Sequence, residues 1–209
     1  MLAVTGNCGG GKYACATAWA LHGRVTRVAL AAPTCPLDTP AARATLRPGD
    51  KAVYAMTART PWLARAMFAK LAHDAQRDAR RLFSFFDDLG PADQRLLQNQ
   101  EFATTLSHSL TEAFRQGARG QVQDHALEGQ PWRIPLEQIR VPVTIWYGDD
   151  DRLVDPRQSQ ILAAAIPTAD ARAVAGAGHF LLGDHAAQVL SSAVGAEPHP
   201  PRGRPSSAQ

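Results

Sequence analysis

Leu2-Ala3-Val4-Thr5-Gly6-Asn7-Cys8-Gly9-Gly10-Gly11-Lys12 passes from a short apolar run through a glycine-rich turn into an alanine-rich stretch. Leu2 to Thr5 reads as the end of a buried strand, and Gly6 to Gly11 as the turn. Lys12 to Leu21 is the helix that follows, closed by Gly23. Val25 to Ala31 is apolar and β-branched enough to be a second strand, stopped by Pro33 and Pro36. Strand, tight turn, helix and strand in that order make a parallel βαβ unit, and so an α/β protein.

Within this unit Gly6-Asn7-Cys8-Gly9-Gly10 fits a small–x–nucleophile–x–small pattern. Such a turn presents its central side chain on a sharp strand-to-helix corner. Small residues at Gly6 and Gly10 are expected because the strained corner leaves no room for neighbouring Cβ atoms. The N–H of Gly9, next after the nucleophile, would face a developing oxyanion at a helix N-terminus. Two other readings use the same residues. A glycine-rich βα turn can serve only to pack a helix close to a strand. Gly6 to Lys12 also matches the phosphate-binding GxxxxGK loop, but Tyr13 stands where that loop needs the Ser or Thr that ligates Mg²⁺.

Beyond the second strand the character changes. Ala64, Phe68, Leu71, Ala75, Ala79, Leu82 and Phe86 recur at three- and four-residue steps, the apolar stripe of one long helix. Phe102, Leu106, Leu110, Ala113, Phe114 and Gly117 trace another. Residues 36–140 carry no strand signal and read as a helical insertion. The parallel pattern resumes with a strand over Val141 to Tyr147 and the loop Gly148 to Asp155. A helix follows from Pro156 to about Ile166, with Asp155 as N-cap. Ala171 to Ala175 is a short strand, and Asp184 to Val194 a closing helix capped by Asp184.

Two more signals stand at the ends of these strands. Gly148-Asp149-Asp150-Asp151 follows the third strand, and Gly176-Ala177-Gly178-His179-Phe180 follows the fourth. Nucleophile, acid, histidine is the chain order of the α/β-hydrolases. From about Leu2 to Val194, including Arg140-Val141-Pro142-Val143 before the acid strand, the chain resembles bacterial members of that family with an all-helical cap. The resemblance implies a catalytic triad of Cys8, Asp151 and His179. His179 would act as general base toward Cys8, and Asp151 would hold the imidazole. Asp151 is chosen because the family's acid stands three residues after the glycine; Asp149 and Asp150 are expected to face solvent or cap the loop. Cys15 is expected in the core; Cys35, in the loop after a strand end, could line the pocket, but a structural place is the preferred reading.

The chain departs from that family twice. Most members carry Ser where Cys8 stands, although the dienelactone hydrolases are similar in using Cys within this fold. The family's earlier strands, and the loop supplying its other oxyanion donor, precede the elbow strand with which this sequence opens. A partial parallel sheet is therefore expected, with a bare edge at its first strand and low solubility. The resemblance implies hydrolysis of a small ester, thioester or lactone. A catalytically silent remnant, or a module that binds a small molecule without turnover, is the alternative; the nucleotide-binding reading ranks last.

The 209 residues fit one domain with a helical subdomain, 45% hydrophobic and 20% charged, with formal net charge +3. The expected division is residues 1–35 for the elbow part of the core, 36–140 for the helical cap, 141–195 for the strands carrying acid and histidine, and 196–209 for a disordered tail. No apolar run approaches the roughly 20 residues of a spanning helix, and no secretion signal opens the sequence, so a cytoplasmic place is expected. Basic residues are scattered, and Arg77, Arg80 and Arg81 read as a solvated helix face, so no nucleic-acid partner is expected. Three cysteines, Cys8, Cys15 and Cys35, have no metal spacing and are odd in number, which points to reduced thiols. No metal or cofactor is called for.

Overall fold

The structure is a computed structural model and describes residues 1–86 and 88–196; the expected tail beyond Ala196 lies outside the described residues. Its sheet has four strands in the order β1 (Leu2–Asn7), β2 (Val25–Ala31), β3 (Val143–Gly148) and β4 (Ala169–Val174). All three pairings are parallel. Parallel neighbours need a crossover, and the sequence supplies one at each step. Helix α1 (Gly10–Ala20) links β1 to β2, a long helical insertion links β2 to β3, and α8 (Pro156–Ala165) links β3 to β4.

Alternation along β2 sorts its side chains between two cores. Val28 and Leu30 pack with Ala14, Cys15 and Ala18 of α1 and with Leu162 of α8. Ala29 and Ala31 face the other way, onto Trp146 and onto Val189 and Ala193 of α9 (Leu182–Val194). Helices cover both faces, as a parallel sheet requires. The strand β1 forms the expected bare edge, but it is not the buried strand that its apolar run suggests. It stands at the sheet's edge with Leu2, Ala3, Thr5 and Asn7 exposed, because among the described residues no strand pairs with its outer side.

The insertion comprises α2 (Pro40–Ala44), α3 (Pro48–Arg59), α4 (Pro61–Asp78), α5 (Pro91–Gln98), α6 (Gln100–Ala113) and α7 (Arg119–Glu128). The apolar stripe that opens at Ala64 does not stay α-helical. At Asp78 the backbone turns extended, the carboxylate accepts from Arg80 N–H, and Ala79–Phe85 continue as a tighter 3-10 helix. Leu82 still reaches Ala72, Ala75 and Phe114 to form a small core of the insertion. Helix α9 likewise begins at Leu182, earlier than expected, so Asp184 lies in its first turn and pairs with Arg95 rather than capping. Asp155 caps α8 as expected, accepting from Arg157 N–H. Among the described residues no helix is long and apolar enough to cross a membrane.

Candidate active site

The corner between β1 and α1 places Cys8 at φ 51°, one of three non-glycine residues with positive φ among the described residues. A side chain held in the left-handed region costs about 1–3 kcal/mol and persists only where the surroundings over-determine it. The surroundings here are backbone bonds. Cys8 N–H donates to Ala31 O at 3.0 Å, while Cys8 O accepts from Gly11 N–H at 3.0 Å and Thr34 N–H at 3.3 Å. A Cβ on Gly6 would stand 2.6 Å from Gly10 O and 3.0 Å from Ala14 Cβ, so the corner closes only with glycine there. Gly10 itself has open space around a would-be Cβ. The steric requirement falls on the first small residue and not on the second.

Asp151 and His179 arrive from the ends of adjacent strands. One oxygen of Asp151 accepts from Leu153 and Val154 N–H, both at 2.9 Å, which fixes the carboxylate within its own loop. The other oxygen lies 2.9 Å from His179 Nδ1. Both side chains are buried, and Asp149 braces the pair of loops by accepting from Gly176 N–H at 2.6 Å. Cys8 bears electrostatically on the imidazole from the end of β1. With Nδ1 turned to Asp151, Nε2 is the nitrogen left for sulfur. Burial alone would push the His179 pKa down. The charge on Cys8, the hydrogen bond to Asp151 and the Asp151 charge outweigh it and hold His179 well above its ordinary value. The structure thus joins Asp151 to His179 by a hydrogen bond, with Cys8 acting on the imidazole through its charge.

The other two cysteines have no such setting. Cys15 and Cys35 are buried, and burial pushes each thiol up to about 12. Lys12 does not face an open phosphate cradle. Its ammonium donates to Leu127 O at 2.6 Å and sits over the Trp132 ring, and burial lowers its pKa. Among the described residues no cluster of His, Cys, Asp and Glu could hold a metal ion.

Two acidic residues join the site from the helical insertion without any signal in the sequence. Glu128, the last residue of α7, sets Oε1 where a Cβ on Gly9 would be, and its other oxygen accepts from Tyr54 O–H at 3.0 Å. Burial raises the pKa of both groups. Tyr54 in turn lines a cavity of about 660 Å³ with Leu37, Leu46, Lys51 and Pro131. Asp93, in the first turn of α5, reaches the backbone beside His179.

Known structures repeat this architecture. A hydrolase from Pseudomonas aeruginosa superposes with a TM-score of 0.60 at 19% identity, covering 92% of this chain and 64% of that one. A bromoperoxidase from Bacillus anthracis gives 0.57 at 16% identity, covering 91% and 64%. An N-acyl homoserine lactone degrading enzyme gives 0.55 at 19%, covering 92% and 66%. The chain spans less than two thirds of each of these three structures. No curated protein matches the sequence. The sequence itself matches the alpha/beta hydrolase family over residues 2–192, nearly its whole described length. The chain belongs to the alpha/beta hydrolase family.

Proposed function

We propose that the protein hydrolyses a small ester, thioester or lactone through Cys8, His179 and Asp151. The observation that carries this reading is the line from strained Cys8 through His179 to the doubly anchored Asp151 carboxylate. Cys8 sulfur attacks the substrate carbonyl carbon while its proton passes to His179 Nε2. The tetrahedral oxyanion faces the N–H of Gly9. Collapse leaves a thioester on Cys8 and expels the alcohol, which takes the proton back from His179. His179 then deprotonates a water that attacks the thioester, releasing the acid and restoring the thiol. Asp151 keeps the imidazole in the tautomer this needs. Helices α2 to α7 act as the cap, and the cavity beside Tyr54 is the place for the acyl group. The lactone-degrading relative in fold suits this substrate class, and a cytoplasmic setting suits the free thiol.

A second reading, ligand binding without turnover, is favoured by Glu128. A carboxylate oxygen against Gly9 opposes the negative charge that an oxyanion would bring there. A fluorogenic short-chain ester assay separates the two. Turnover that disappears on iodoacetamide labelling of Cys8 supports the hydrolase; ligand-dependent stabilisation without turnover supports the binding module.

A further inference from the structure

Asp93 is the most deeply buried carboxylate described in the chain, with 0% of its surface exposed. In the first turn of a helix an Asp ordinarily faces its own helix's free N–H groups. Asp93 faces elsewhere. One oxygen accepts from His179 N–H and the other from Phe180 N–H, each at 2.8 Å. The fit is close on the other side too, since a Cβ on Gly178 would stand 2.2 Å from the same carboxylate. Phe180 is packed edge-on against Phe86 at 5.4 Å and tilted against Phe102 at 5.6 Å, so the loop is gripped by polar and apolar contacts from one insertion.

We propose that Asp93 is a positioning residue for His179, its carboxylate clasping the two backbone N–H groups that set the imidazole between Asp151 and Cys8. The proposal rests on His179 serving Cys8 as its base. An apolar contact could hold the loop in place, but only an anion adds a fixed negative potential beside an imidazole that must carry positive charge. The charges that meet the Asp93 carboxylate come from two strand-end loops: His179 attracts it and Asp151 repels it. On its own helix, Arg95 is turned to Asp184 of α9. Burial raises the Asp93 pKa, and the bonds from Phe180 and His179 N–H pull it back down. The helical insertion thereby contributes to the chemistry of the strand-end residues as well as to the walls of the cavity.

The test uses the full chain in two measurements: the NMR titration of the His179 imidazole, and the rate of iodoacetamide labelling at Cys8 read by peptide mass spectrometry. Asp93→Asn keeps the shape, removes the charge and turns an amide donor toward one of the two backbone donors. The His179 transition should move to lower pH, and labelling at neutral pH should slow by about tenfold, the loss of one charge-assisted bond. Asp93→Ser, which removes the charge without a competing amide, should give the same two shifts if the Asn variant fails to melt cooperatively. An unchanged titration and labelling rate, even beside a lowered melting temperature, would reduce Asp93 to a structural tie and overturn the proposal. His179→Ala separates the levels. If it slows labelling and the Asp93 variants do not, the Asp93 role alone is lost. If His179→Ala leaves labelling unchanged, the Cys8–His179 reading falls and this proposal falls with it.

Discussion

His179 Nδ1 lies 2.9 Å from an oxygen of Asp151 whose partner oxygen is already held by two backbone N–H groups. The acid cannot turn away from the imidazole without breaking its own loop. Asp151→Asn keeps the loop bonds and offers His179 the wrong polarity at Nδ1. Ester turnover should drop by about 10⁴, the scale of this substitution in the serine-protease triad, with little change in substrate binding. A variant within tenfold of wild type would show that Asp151 is not the working acid.

The raised His179 pKa also sets a pH dependence of stability. A folded-state pKa above the unfolded value, here 6.5, adds stability that is fully present below 6.5. That stability is lost as pH rises through the raised folded value. Urea midpoints should therefore fall on going alkaline, and His179→Gln should flatten the slope in that window. An equal slope in both proteins would contradict the ion-pair description.

Strain at Cys8 predicts a trade between stability and chemistry. Glycine adopts φ 51° freely, so Cys8→Gly should stabilise the fold by roughly 1 kcal/mol while abolishing all thiol chemistry. A destabilised Cys8→Gly would mean that the thiol's contacts outweigh the backbone cost.

Gly6 and Gly10 form a matched pair. Gly6→Ala drives a methyl against Gly10 O and Ala14, which should cost about 1–3 kcal/mol or prevent folding. Gly10→Ala meets open space at the start of α1 and should be neutral or stabilising by up to about 1 kcal/mol. Thermal melts of the two variants check this; equal losses would refute the described corner.

The outer edge of β1 carries backbone groups without a strand partner among the described residues, and Leu2 beside it is 40% exposed. The 209-residue chain should self-associate as concentration rises, and Ala3→Lys should suppress it. Sedimentation that stays monomeric for both proteins would show that the edge is protected.

The sequence carries the strands, the elbow and the order of Cys8, Asp151 and His179 because these are local patterns: a period of two, a glycine corner, an acid at fixed distance from a strand end. Asp93 left no such trace. Its contact with His179 spans 86 positions, and an Asp in a first turn looks like any other helix start. Glu128 reaches Gly9 from the far end of the insertion in the same way. The exposed β1 shows the reverse case, where an apolar run resembles a buried strand and tertiary pairing leaves it at the edge.

The most direct test of the central claim is a rapid-quench reaction with p-nitrophenyl acetate, followed by peptide mass spectrometry. The account predicts a burst of p-nitrophenolate that reaches one equivalent, with acetyl carried on Cys8 and both signals absent in Cys8→Ala. Hydrolysis that continues in Cys8→Ala, or acetyl found only on other residues, would contradict it.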